Sequence, residues 1–101
     1  MNTRPENRSL PPELEALRGK IDAVDAGLVD LMSSRVALAR EALALKATMG
    51  MASEDPAREA AVVRRASALA RDRGMEPEIA RDVLWKLMAL SRGIFGNGEK
   101  R

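Results

Sequence analysis

Residues 13–49 read ELEALRGKIDAVDAGLVDLMSSRVALAREALALKATM, and this stretch decides the fold class. Apolar side chains recur at steps of three and four: Leu14, Leu17, Ile21, Val24, Leu28, Leu31, then position 35, Leu38, Ala42, Leu45 and Met49. A strand would alternate with period two, whereas these steps place the whole set on one helical stripe. The run holds no proline, and Gly19 and Gly27 each cost only about 1 kcal/mol against alanine. At its ordinary rise such a helix is about 50 Å long, against a radius of gyration of about 13 Å for a compact chain of this size. The rod overhangs any core that a single chain can build, so a second copy is expected to cover the stripe. A break at Ser33-Ser34, folding the segment into a hairpin, is the alternative.

Two further helical segments follow. The second begins at Ser53-Glu54-Asp55-Pro56, with Asp55 as N-cap and Pro56 at the first helical position. Val62, Val63, Ala66, Leu69 and Ala70 form its inward face, and Gly74 after Arg71 and Arg73 is its stop signal. The third opens at Glu76-Pro77 and is expected to run to about Phe95. Its stripe is Ala80, Val83, Leu84, Leu87, Met88, Ser91, Ile94 and Phe95, with Gly96-Asn97-Gly98 as terminator. The linkers, about 50–54 and 74–76, are short, as in helical bundles. The expected architecture is all-α: a three-helix chain with one long N-terminal helix, forming an intertwined homodimer. Residues 1–12 read as a flexible tail, 13–96 as the helical domain and 97–101 as a frayed end.

Composition narrows the chemistry. The 101 residues are one domain's worth. They contain no Cys and no His, which excludes thiol nucleophiles, imidazole bases, disulfides and nearly every zinc site. One Trp and one Phe are too few rings for a single-stranded nucleic-acid platform. Seventeen bases against fifteen acids give a net charge of +2, too small an excess for a nucleic-acid binder. No apolar run is long enough to span a bilayer, and the polar, proline-bearing N-terminus does not resemble a secretory signal. A cytoplasmic protein with neither nucleic acid nor membrane as partner is expected.

Against this background, several polar residues stand in apolar places. Arg35 fills a seam slot where Leu or Ile belongs, and a buried guanidinium is costly unless paired. Lys46, eleven residues on, returns to within about 20° of the same face. Arg18 sits beside the seam near its start. Arg58 and Glu59 fall in the first turn of the second helix, where an acid is favoured and a base is not. Ser91 interrupts the third stripe. Each has an ordinary explanation. Arg35 could set register or snorkel, Lys46, Arg18, Arg58 and Glu59 could be solvated, Asp55 could be only a cap, and Ser91 could bond its own helix backbone. Taken together, cations from several helices facing one apolar interior point to a small ligand carrying carboxylates, which arginine binds bidentately.

These residues resemble the all-helical, type II chorismate mutase family. Leu17-Arg18-Gly19-Lys20-Ile21-Asp22-Ala23-Val24-Asp25 is similar to that family's LRxxIDxID opening, and Arg35 with Leu38-Ala39 to its RxxLA. Lys46 stands at the place of its first-helix lysine. Asp55-Pro56-Ala57-Arg58-Glu59 is similar to DPxRE, Gly74-Met75-Glu76-Pro77-Glu78 to its third-helix entry, and Ser91-Arg92 to its SR. The likeness covers Leu14 to Phe95. It implies an intertwined dimer and rearrangement of chorismate to prephenate, a pericyclic reaction without cofactor, metal, nucleophile or general base, in the route to phenylalanine and tyrosine. It further implies that Arg18 reaches the partner subunit's site to hold one carboxylate, while Arg35 holds the other. Lys46 would donate to the ether oxygen, Asp55 and Glu59 would contact the ring hydroxyl with Arg58 nearby, and Ser91 would bind a carboxylate. Lys46, Arg35 and Glu59 would form the catalytic set. A regulatory partner enzyme is compatible with the resemblance.

One position departs from the pattern. Where the family carries Gln or Glu, four residues after the serine, this chain has Phe95, which cannot donate a hydrogen bond. The departure leaves three readings: a weak chorismate mutase, a mutase or lyase acting on 4-amino-4-deoxychorismate or isochorismate, or a closed pocket. A non-catalytic helical dimerisation module is the reading from another class. Since one charge-stabilising donor is worth about 10²–10³ in rate, Phe95→Gln is expected to raise chorismate turnover in a steady-state assay. An unchanged or lower rate would mean that the pocket is built around the ring.

Overall fold

The computed structural model describes residues 10–93. Most of the expected N-terminal tail, the C-terminal end at 97–101, and Ile94 and Phe95 with it, lie outside the described residues. Three helices occupy the described chain: α1 (Pro12–Thr48), α2 (Pro56–Asp72) and α3 (Pro77–Ser91). No strand occurs among the described residues, so the all-α class read from the periodicity holds. α1 is 37 residues long and helical through Ser33-Ser34, which excludes the hairpin alternative.

Each helix ends by the same device. At the end of α1, Gly50 takes φ +69°. Its N–H donates to the Ala47 carbonyl at 3.2 Å, and Met51 N–H reaches back to the Lys46 carbonyl at 2.9 Å. After α2, Gly74 takes φ +72°, and the equivalent bonds run from Gly74 to Arg71 and from Met75 to Ala70. Only glycine adopts this left-handed turn without strain, and the crossed bonds satisfy carbonyls that the helix leaves open. Gly93, at φ +83°, donates to the Leu90 carbonyl and closes α3 at Ser91. The sequence expectation that α3 runs to Phe95 is therefore corrected. Its apolar stripe continues past Ser91, but the backbone turns at Gly93, ahead of the Gly96-Asn97-Gly98 terminator. The opposite end of α2 follows expectation: the Asp55 carboxylate accepts from Arg58 N–H at 3.1 Å, and Pro56 opens the helix.

The chain divides into two units, Met1–Met32 and Ser33–Arg101. In the first, the described structure is chiefly the N-terminal part of α1, and its apolar stripe is exposed: Leu17 by 54%, Val24 by 64% and Leu31 by 72%. The second contains the rest of α1 with α2 and α3. Its core is small, made of Val36, Ala66, Ala70 and Met88. Half-buried Val62, Leu84 and Leu87 surround them.

Within this second unit α1 does not turn the predicted seam inward. Leu38 and Leu45 are exposed, whereas Val36 is buried and Ala39, Leu43 and Lys46 are half-buried. Position 36 lies one residue past the seam, a rotation of about 100° around the helix. Helix α1 thus has two apolar faces, and the heptad pattern reported the one that this chain leaves open. Leu69 and Val83, expected to face inward, are exposed, and Ser67 takes a buried place on α2 instead.

One long-range contact fixes the end of α3. The exposed Arg40 of α1 donates from its guanidinium to the Leu90 carbonyl at 3.1 Å and to the Ser91 carbonyl at 3.4 Å. These carbonyls lie in the last turn, where a cation also opposes the negative end of the helix dipole. Because water replaces part of what an exposed donor supplies, Arg40→Met is expected to lower the unfolding free energy by about 1 kcal/mol. Urea denaturation followed by circular dichroism checks this, and an unchanged midpoint would show that the guanidinium adds nothing over water.

Candidate active site

A cleft of about 370 Å³ opens in the second unit, between α1 on one side and α2 and α3 on the other. Its volume falls within the roughly 300–1,000 Å³ usual for small-molecule sites. Apolar walls come from Leu38, Ala42, Leu43, Val62 and Met88. Among its polar lining are Arg35, Lys46, Asp55, Arg58, Glu59, Ser91 and Arg92. Six of the residues singled out in the sequence as site candidates therefore meet at one cavity. They come from 35 and 46 on α1, from 55, 58 and 59 at the start of α2, and from the last residue of α3.

Local structure explains how each is held. Arg35 and Lys46 lie three turns apart on α1 and point to the same side. The Lys46 ammonium donates to the Ser53 carbonyl at 3.0 Å, tying the α1–α2 linker to α1. Asp55 is committed to capping α2, so its carboxylate already accepts a backbone N–H. Ser91 is buried, and its hydroxyl donates to the Leu87 carbonyl at 2.8 Å. Both the helix-bonded hydroxyl and the cap anticipated as ordinary explanations are thus present, at positions that also line the cleft. Glu59 accepts from the Arg92 guanidinium at 2.5 Å, with both side chains about three-quarters buried.

Electrostatics separates Arg35 from the others. It is half-buried on α1, and among the described residues no hydrogen bond or ion pair engages its guanidinium. Burial holds Arg35 below the ordinary arginine value, and the nearby positive charge of Arg58 pushes in the same direction. Both causes disfavour the charged form, so an anion entering between the two guanidiniums would relieve both. Four bases and two acids line the cleft, a balance of two positive charges. A doubly negative ligand matches that balance, and arginine pairs suit two carboxylates.

Arg18 belongs to the first unit, where it is exposed on α1. Phe95 lies outside the described residues. Two residues carried no role in the sequence reading: Arg92, which lines the cleft, and Arg40, which braces the end of α3 beside it. Arg92 was visible only as the second letter of a motif, because nothing in the chain pairs it with an acid 33 positions away. Arg40 shares a face of α1 with Val36 and Leu43, and its contact with α3 left no signal in the sequence.

The chorismate mutase type II family model matches residues 17–94. The T-protein of Enterobacter agglomerans is 37% identical over 76 residues, covering 75% of this chain and 20% of that protein. The chain thus spans about a fifth of that relative's length. No solved structure matches the chain significantly. No described helix is long and apolar enough to cross a membrane. With the motifs of three helices gathered at one cationic cleft, and the family model covering most of its length, the chain belongs to the chorismate mutase type II family, a family of isomerases.

Proposed function

We propose that this chain rearranges chorismate to prephenate, in the cytoplasm and in the service of phenylalanine and tyrosine formation. The observation that carries the reading is the cleft's excess of two positive charges, with Arg35 desolvated and lacking a partner among the described residues. Chorismate is a dianion whose rearrangement breaks an ether bond and forms a carbon–carbon bond within one molecule. The protein need supply no nucleophile and move no proton. It must hold the two arms of the substrate in a compact conformer and stabilise negative charge on the departing ether oxygen.

The residues divide these tasks. Arg35 grips one carboxylate, and the entering charge offsets its repulsion with Arg58. Lys46 donates to the ether oxygen, having been brought to the cleft by its bond to Ser53. Asp55 and Glu59 meet the ring hydroxyl. Ser91 turns its hydroxyl from the Leu87 carbonyl to a substrate carboxylate. Apolar walls exclude water and strengthen each of these charge interactions.

The second carboxylate falls to Arg18 of a partner subunit. This part of the reading is supported by the exposed stripe from Leu17 to Leu31, which is apolar, long and left uncovered by the single chain. A second substrate reading is favoured by Phe95, which replaces the family's usual donor. A mutase or lyase for 4-amino-4-deoxychorismate or isochorismate would use the same carboxylate clamps with a different ring contact. Turnover measured in parallel on the three acids distinguishes them, and chorismate is expected to be the best substrate.

Two variants check the proposed division of labour. Arg35→Met removes a desolvated cation, so it is expected to leave thermal stability unchanged or raised while abolishing turnover and the melting shift induced by prephenate. Retained turnover would contradict the placement of Arg35. Mixed with Arg35→Ala, the separately inactive Arg18→Ala should form heterodimers with one intact site, restoring about a quarter of wild-type activity after subunit exchange. No recovery would contradict a site shared between subunits.

A further inference from the structure

We infer that Arg92 is a positioning residue for the dianion site: it neutralises Glu59, so that a carboxylate belonging to the cleft does not repel the ligand's own. The inference rests on the proposed chorismate reading and deepens it at a residue to which that reading gives no role.

The geometry comes from both helix ends. Glu59 stands in the first turn of α2, and Arg92 is the C-cap of α3. Arg92 is fixed there by its own N–H, which donates to the Met88 and Ala89 carbonyls, and by the left-handed turn at Gly93. Its guanidinium reaches the Glu59 carboxylate, and both side chains are largely withdrawn from water, with 27% and 24% left exposed. A pair this sheltered is screened far less than a surface one. Among the described residues the only side-chain partner of Glu59 is Arg92, while Arg35 and Lys46 of α1, Asp55 at the N-cap of α2 and Arg58 line the same cleft. On its other side, Arg81 and Asp82 of α3 lie across a shallow groove that Glu59 also lines.

Charge counting gives Arg92 its task. With Arg92 present, the cleft carries four bases against two acids. Without it, the balance falls to a single positive charge, and the charge left uncompensated is the Glu59 carboxylate, pointing into a cavity that must accept two more carboxylates. Removing one partner of a sheltered pair does most of its damage through the partner left behind. The effect of losing Arg92 should therefore depend on Glu59 being charged. A guanidinium that only caps α3, or that touches substrate directly, would act whether or not Glu59 is charged.

A double-mutant cycle on the full chain tests this with chorismate as probe. Arg92→Met is expected to raise KM roughly tenfold, with a smaller change in kcat. Arg92→Lys, which keeps a positive charge near Glu59, should recover most of that loss. In an Glu59→Gln background, where kcat is already reduced, adding Arg92→Met should change KM by no more than about twofold. The inference is overturned if Arg92→Met leaves KM unchanged, or raises it by the same factor in both backgrounds. Helicity by circular dichroism identifies any variant that fails to fold, and Arg92→Gln then takes the place of Arg92→Met. Should the wild type not turn over chorismate, the functional reading fails on that arm alone. The cycle is then read from the calorimetric Kd for prephenate, with the same factors expected.

Discussion

Arginine 35 stands half out of water on α1, beside another guanidinium and with no acid to answer it among the described residues. That arrangement costs stability, and the rest of the second unit is organised around it. Its buried apolar core is limited to two alanines, a valine and a methionine, and charged residues from all three helices line the cleft beside it. A chain seeking only stability would place leucine at this slot, where the surrounding heptad pattern asks for it. In the proposed function, a negative ligand completes the site.

The supporting structure serves that cleft in traceable ways. Left-handed glycines at 50 and 93 stop α1 and α3 shortly after Lys46 and Ser91, which line the cavity. The bond from Lys46 to Ser53 draws the α1–α2 linker inward, so that Asp55, Arg58 and Glu59 enter α2 at the cleft's edge. Arg40 ties the last carbonyls of α3 to α1, which brings Ser91 and Arg92 to the opposite rim. The acids present are each occupied, Asp55 by a backbone N–H and Glu59 by Arg92. The remaining positive charge is thereby left available to a guest.

Much of this was legible in the chain. The steps of three and four fixed the helical class, and a misplaced arginine in an otherwise regular stripe announced the site before any motif was considered. Asp55-Pro56 and Gly74 marked helix ends through local chemistry alone. What escaped was tertiary. The seam through Leu38 and Leu45 was expected to pack, yet Val36 and Leu43 are the residues that α1 turns towards the hairpin of α2 and α3. Periodicity cannot choose between two apolar faces of one helix. The end of α3 was misjudged because a continuing apolar stripe outweighed a single glycine. The Glu59–Arg92 pair was invisible for a plainer reason: a contact between two helix ends has no signature in spacing.

The account stands or falls on the cleft's demand for two negative charges in one small molecule. Calorimetric titration with prephenate and with its monomethyl ester, at matched ionic strength, measures that demand without relying on catalysis. Prephenate should bind at least tenfold more tightly, with the difference shrinking as salt is raised. Equal affinities for the diacid and its ester would contradict the claim that these cations are held inward for a dianion.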